Sequence, residues 1–291
     1  MFSLSKILLP VDFSERSTGA ARYVEALARR FDSEVILLHV LPPPHYEFSA
    51  LEVGGTVFTE LFAARSRQMR KELEEFEVGR FSGVRLSRVM LEGDPARRIV
   101  EYSHREHVPV IVMPTHGYGT FRRFILGSTT SKVLHDADCP VWTGVHLEEA
   151  PEVGAIHFER LLAAVDLGPQ SRKTLQWAAG LASHYGAKLY VVHALPCVAV
   201  AGGENAAAEF RERFVVRAEE EASRLIESAA IGQAELVVET GDPPRVVCAV
   251  AERLRAEALV IGRGSAAGIF GRLRTNAYAI IRQSPCPVVS V

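Results

Sequence analysis

The sequence predicts an α/β protein: two tandem copies of one open, parallel-sheet domain. Three observations carry this. A set of short motifs occurs twice in the same order. Lys6-Ile7-Leu8-Leu9-Pro10-Val11-Asp12 answers to Arg160-Leu161-Leu162-Ala163-Ala164-Val165-Asp166, and Leu37-Leu38-His39-Val40-Leu41-Pro42 to Val191-Val192-His193-Ala194-Leu195-Pro196. Gly93-Asp94-Pro95 returns as Gly241-Asp242-Pro243, and Cys139-Pro140-Val141 as Cys286-Pro287-Val288. The offsets, 166−12=154, 193−39=154, 242−94=148 and 286−139=147, shrink slowly, as small deletions between two copies would make them. A spacing this long is a whole domain, not a solenoid unit. Within each copy, short apolar runs alternate with segments of helical period, the pattern of a parallel sheet. The runs are continuous rather than alternating, as in strands covered on both faces.

The elements follow in order. Each copy opens with a strand, Ile7 to Val11 or Leu161 to Val165, then a turn, Asp12 to Ser17 or Asp166 to Ser171. A helix follows with Ala20, Val24, Leu27, Ala28 and Phe31 on one face, or Leu175, Ala178, Leu181, Ala182 and Tyr185. Strand two is Glu34 to Val40 or Lys188 to Ala194. Charged helical stretches, Glu60 to Glu77 and Glu209 to Ala230, precede strand three, Val84 to Leu91 or Glu235 to Thr240. The Gly-Asp-Pro turn starts a helix, Ala96 to Glu106 or Arg245 to Leu254, since proline suits the first helical position. Strand four is Val108 to Met113 or Ala258 to Ile261; after a Gly-rich loop and a helix, the last strand is Pro140 to Val145 or Pro287 to Val291. That makes five strands per copy, in domains 1–146 and 159–291, with residues 147–158 as the linker.

Composition narrows the function. The chain's 291 residues suit two domains, and 48% hydrophobic with 23% charged residues is the balance of a globular protein. A net charge of −2 gives no global attraction to nucleic acid or an anionic membrane. No apolar run approaches the roughly 18 residues of a membrane span. The N-terminus runs straight into a strand without a signal-peptide layout, so a cytoplasmic location is expected. The cysteines Cys139, Cys197, Cys248 and Cys286 show no C-x-x-C spacing, and Cys139 and Cys286 read as small buried apolar residues.

Open α/β sheets bind ligands at the carboxyl ends of their strands, near the point where the strand order reverses. In copy one, Asp12, Val40 and the loop from Met113 to Ser131 should converge there. That loop ends in Gly127-Ser128-Thr129 as a helix begins. Amides at a helix N-terminus, with glycine permitting close approach, suit a phosphate; the plainer reading is an ordinary loop and N-cap. Asp12 and Asp166 can equally cap the turns that follow them. His104 and His107, three apart, read as surface residues rather than a metal pair, and His116 as a loop residue with a smaller claim to proton transfer. No P-loop, nucleophile elbow or H-E-x-x-H is present, so enzymatic turnover is not expected.

With these motifs in place, the chain resembles the universal stress protein (UspA-like) family in its tandem two-domain form. That family's nucleotide loop reads G-x-x-G, nine residues, then G-[ST]. Copy one supplies Gly117, nine residues from Tyr118 to Leu126, and Gly127-Ser128, while Pro114 stands at the first glycine. The resemblance implies a Rossmann-like, adenine nucleotide alpha hydrolase-like sandwich in each copy, paired as an internal pseudo-dimer through the strands after Cys-Pro-Val. It also implies a site of Pro10, Val11, Asp12, Val40, Met113, Gly117, Gly127, Ser128 and Thr129, for ATP or AMP, with or without Mg. Asp12 would face adenine or ribose, the Val40 main chain adenine, and Gly117, Gly127, Ser128 and Thr129 the phosphates. Proline has no N–H to donate, so Pro114 removes one phosphate contact. Copy two keeps Gly262 at the first position but has Ser265 at the second and Arg274-Thr275-Asn276 at the third. Arg263, Arg272 and Arg274 there read as solvated charge, or as a residual attraction for an anion. Copy two is expected to bind nucleotide weakly or not at all. The leading expectation is a nucleotide-binding stress regulator, at most a slow ATPase, with an unknown protein partner and a homodimer as a further assembly open to it; the alternative is a nucleotide-independent scaffold.

Overall fold

The computed structural model describes residues 2–43, 55–115, 126–144, 151–196, 204–263 and 275–291. They divide into two compact units, Ser3–Ile156 and His157–Val291, the second taking in Phe2. The N-terminal unit runs β1 (Lys6–Pro10), α1 (Glu15–Phe31), β2 (Glu34–Leu41), α2 (Gly55–Glu75), β3 (Arg85–Glu92), α3 (Pro95–Arg105), β4 (Val110–Val112), α4 (Ser128–Asp136) and β5 (Val141–Thr143). Its strands lie in the order β3-β2-β1-β4-β5, all parallel. Two early crossovers run one way from β1 and two later ones the other way. Right-handed connections then place α1 and α2 on one face and α3 and α4 on the other. The order reverses between β1 and β4, so the switch point lies beyond Pro10 and Val112.

The C-terminal unit repeats this with β6 (Arg160–Val165), α5 (Ser171–Tyr185), β7 (Lys188–Leu195), α6 (Glu204–Ala229), β8 (Glu235–Thr240), α7 (Pro243–Leu254), β9 (Ala258–Ile261), α8 (Thr275–Gln283) and β10 (Val288–Ser290). Its parallel order is β8-β7-β6-β9-β10. The α/β class, the parallel sheets and the tandem duplication all stand as the sequence predicts.

The continuous apolar strands are buried on both faces: Ile7, Leu8, Leu9, Leu37 and Val110 expose nothing. Burying each such side chain contributes about 1.5–3 kcal/mol. Strand ends differ from the sequence reading for local reasons. β1 stops at Pro10 rather than Val11, although the Val11 amide still reaches the Leu38 carbonyl at 2.9 Å. β4 starts at Val110 rather than Val108, because the Val108 amide donates to the Ser103 carbonyl (2.9 Å) and closes the end of α3 instead. The Gly-Asp-Pro turn works through a glycine backbone and an aspartate side chain. Gly93 has φ +136°, which L side chains rarely adopt, and the Asp94 carboxylate accepts from the Arg97 amide at 2.9 Å as the N-cap of α3.

Candidate functional site: a cleft at the carboxyl ends of β1, β2 and β4

The turn after β1 is tied by Asp12. Its Oδ1 accepts from the Ser14 amide (3.1 Å), the Ser14 hydroxyl (2.6 Å) and the Ser17 hydroxyl (2.6 Å). Ser14 in turn caps α1 by accepting from the Ser17 amide at 3.4 Å. Asp12 thus performs the capping role that its type and position allowed, and it also lines the cavity described below. Phe13 takes a left-handed conformation, φ 64°, costly for a side chain of this size. Its ring stacks on His39, centroids 4.5 Å apart and planes at 27°, with Phe76 at 5.8 Å. His39, on β2, donates from Nδ1 to the Val11 carbonyl at 2.8 Å.

Across the switch point, the Met113 amide donates to the Trp142 carbonyl (3.0 Å). The Pro114 carbonyl accepts from Thr130 Oγ1 (3.1 Å), and the Thr115 carbonyl accepts from the Gly127 amide (2.8 Å). These bonds hold the start of α4 against the end of β4. Gly127 is the N-cap of α4 and has no side chain to cap it, which leaves the first-turn amides to other partners.

These groups enclose a cavity of about 670 Å³, within the range of small-molecule sites. Pro10, Val11, Asp12, Val40, Met113, Gly127, Ser128 and Thr129 all line it. Gly117 and His116 lie outside the described residues. The cavity also takes residues that sequence reasoning had not singled out: Phe13, Arg16 and Ser17 from the turn and α1, His39 from β2, and Arg65, Met69 and Glu72 from α2. His39 had a visible signal, since His193 repeats it 154 positions on; the α2 residues had none. Burial pushes the His39 pKa below its ordinary value, against the raising effect of its bond to Val11 and of the Asp12 and Glu72 carboxylates. Chemically, one end offers a carboxylate and strand-end main chain, the other a helix N-terminus preceded by glycine.

The C-terminal unit keeps the first end and changes the second. Asp166 Oδ1 accepts from the Gly168 amide (2.9 Å) and Ser171 Oγ (3.0 Å). Leu167 repeats the left-handed backbone at φ 58°, and His193 donates to the Val165 carbonyl at 2.9 Å. The cavity there is about 340 Å³, half as large, and is walled by Gly262, Arg263, Asn276 and Ala277 where α8 begins. A Cβ on Gly262 would sit 3.0 Å from Thr174 Oγ1, so the wall is tight there. Arg263 corrects the solvated-surface reading: 4% of it is exposed, and it lines this cavity. Ser265, Arg272 and Arg274 lie outside the described residues. Cys286 is buried and Cys139 half-buried; His104 and His107 are exposed. Among the described residues no cluster of His, Cys, Asp and Glu could hold a metal, and no helix is long and apolar enough to cross a membrane.

Comparison with known proteins places this fold. The profile of the universal stress protein family matches residues 4–143 and again 157–291. Universal stress protein MJ0531 of Methanocaldococcus jannaschii is 32% identical over 136 residues, covering 47% of this chain and 79% of its own length. A universal stress protein encoded in the QAH/OAS sulfhydrylase 3′ region of Thermus aquaticus is 33% identical over 137 residues, covering 46% of this chain and 94% of its own. The crystal structure of a universal stress protein from Archaeoglobus fulgidus shares the fold at a TM-score of 0.69 and 22% identity, over 99% of this chain and 98% of that one. With the family's profile met twice and its fold shared end to end, this chain belongs to the universal stress protein family, carrying two copies of its domain in tandem.

Proposed function

We propose that the N-terminal domain binds an adenine nucleotide, ATP or AMP, and that the protein acts as a nucleotide-responsive stress regulator. The observation that carries this is the convergence of Pro10, Val11, Asp12, Val40, Met113, Gly127, Ser128 and Thr129 on one cavity of about 670 Å³. In this reading the base and ribose lie against Asp12 and the Val40 main chain. The phosphates lie at the start of α4, where the amides and the Ser128 and Thr129 hydroxyls donate to them. Gly117 would complete the phosphate contacts, and Mg would neutralise phosphate charge where it accompanies ATP. The C-terminal domain, with half the cavity and no glycine at the start of α8, binds nucleotide weakly or not at all. Domains 1–146 and 159–291 then form an internal pseudo-dimer joined by 147–158, in the cytoplasm, with a protein partner that reads the nucleotide state.

A nucleotide-independent scaffold is the second reading. Pro114 favours it: it lines the cavity, has no N–H to give a phosphate, and its carbonyl is committed to Thr130. Mass spectrometry of the supernatant from heat-denatured purified protein separates the two. Adenine nucleotide released in proportion to protein supports the first. A clean supernatant, with no thermal shift on adding ATP-Mg, supports the scaffold.

A further inference from the structure

His39 stands in the cavity wall with 8% of its surface exposed. Its Nδ1 is 2.8 Å from the Val11 carbonyl oxygen, which can only accept, so Nδ1 carries the hydrogen. In the neutral ring Nε2 is then a bare lone pair, and it is buried with no hydrogen-bond partner among the described residues. The Val11 carbonyl lies just beyond the β1 ladder, and the ring is what anchors it. Phe13, in its left-handed conformation, lies over the same ring at 4.5 Å. The residue between Val11 and Phe13 is Asp12, so the imidazole grips the Asp12 turn from both sides.

We propose that His39 is a positioning residue for Asp12 that works only as the neutral imidazole, so that acid releases the Asp12 turn and weakens ligand binding in the N-terminal cavity. The proposal rests on the nucleotide reading for the identity of that ligand and on nothing else in it. Protonation adds an N–H at Nε2, where none of the described residues stands as acceptor. A buried, charged, unsatisfied donor is costly. The ring relieves that cost by leaving its seat, which gives up the Val11 carbonyl and the Phe13 face together. The charged groups around it divide: Asp12 of the turn and Glu72 of α2 favour the imidazolium, while Arg65 of α2 opposes it, and Arg16 of α1 lines the same cavity. Loss of hydration outweighs the carboxylates and favours the neutral ring. His193 makes the equivalent bond to Val165 at 2.9 Å, but Leu167 takes the place of Phe13, so among the described residues His193 lacks the aromatic cover that His39 has.

The test compares the full-length protein with His39→Asn and His39→Leu. Asparagine keeps a donor near the Nδ1 position and cannot be protonated; leucine removes the donor. Nitrogen-15 NMR of the ligand-free wild type should show the Nδ1–H tautomer. As the ring titrates, the amides of residues 11–17 should shift in the wild type and not in His39→Asn. The Nε2–H tautomer, or turn amides that respond equally in both proteins, overturns the proposal. ATP affinity is then measured at pH 7.5 and pH 5 as the ratio of His39→Asn to wild type, which cancels titration of the ATP phosphates. That ratio should rise about threefold or more on acidification, and His39→Leu should bind weakly at both pH values. A flat ratio, with ATP bound, refutes the link to binding. If no variant binds ATP at either pH, the nucleotide reading fails, and the imidazole and turn-amide signals still decide the role of His39.

Discussion

The structure gives Asp12 a turn to tie, the proposed function gives it a ligand to face, and substitution should pull the two apart. Asp12→Ala removes the acceptor for the Ser14 amide, the Ser14 hydroxyl and the Ser17 hydroxyl. Ser17 is 1% exposed, so its hydroxyl cannot turn to water. A hydrogen bond to a charged group contributes about 1.5–3 kcal/mol, and a stranded buried donor costs about 1–3 kcal/mol. The three bonds share one oxygen and are not additive, and Ser14 can reach solvent, so the loss should be about 2–4 kcal/mol. Asp12→Asn keeps an acceptor oxygen in the turn and should lose about 1 kcal/mol. Both substitutions remove the carboxylate from the cavity, and both should weaken ATP binding about tenfold or more, the scale of one charge-assisted contact. Urea unfolding followed by Trp142 fluorescence, in a Trp177→Phe background, reports the N-terminal unit alone, because the chain's two tryptophans fall one in each unit. An Asp12→Ala protein as stable as the parent would refute the turn assignment. An Asp12→Asn protein that binds ATP like the parent would refute the ligand assignment while leaving the turn intact.

Other outcomes follow from the same contacts. Because the His39 pKa is lower folded than its unfolded value of 6.5, the unfolded chain binds the proton first as pH falls. Stability of the N-terminal unit should therefore decline as pH drops below 6.5 toward the folded value, and a urea midpoint series at pH 7.5 to pH 5 should show less of this decline in His39→Asn. Glu25 is buried and accepts from Arg29 (2.9 Å) with Arg80 at 3.5 Å, so Glu25→Ala should destabilise the N-terminal unit by about 2 kcal/mol, less than a fully buried pair because Arg29 is half exposed. Burial pushes the Cys286 thiol up to about 12 and Cys248 up to about 11, so iodoacetamide at pH 8 should leave both unmodified until urea unfolds the C-terminal unit, as read by intact mass.

Much of this was legible in the residues because it is local. Short apolar runs such as Val35 to Leu38, bounded by turns and helical segments, read as buried strands, and Gly-Asp-Pro starts a helix at both places where this chain has it. The repeat then fixed the element order of both domains at once. The site was legible where it lies at strand ends and at the head of α4: Asp12, Val40 and Met113 fall at strand ends by topology, and Gly127-Ser128-Thr129 where a helix begins. Arg65, Met69 and Glu72 were not, because α2 reads as a solvated charged helix and only tertiary packing turns that part of it toward Asp12. His39 and Arg263 failed for opposite reasons. A histidine inside a strand looks like filling, and an arginine beside a loop looks like surface; which ring nitrogen meets a carbonyl, and how deep a guanidinium sits, belong to the packed structure. Phe13 shows the same limit, since its left-handed backbone has no glycine to announce it.

Equilibrium titration of the nucleotide-free full chain with ATP, counting moles bound, asks most directly whether one copy holds the working site. The account predicts one ATP per chain, lost on Gly127→Val, because in the proposed binding mode a side chain there would crowd the phosphate at the start of α4. Two equivalent ATP molecules per chain, or an affinity that Gly127→Val leaves unchanged, would contradict it.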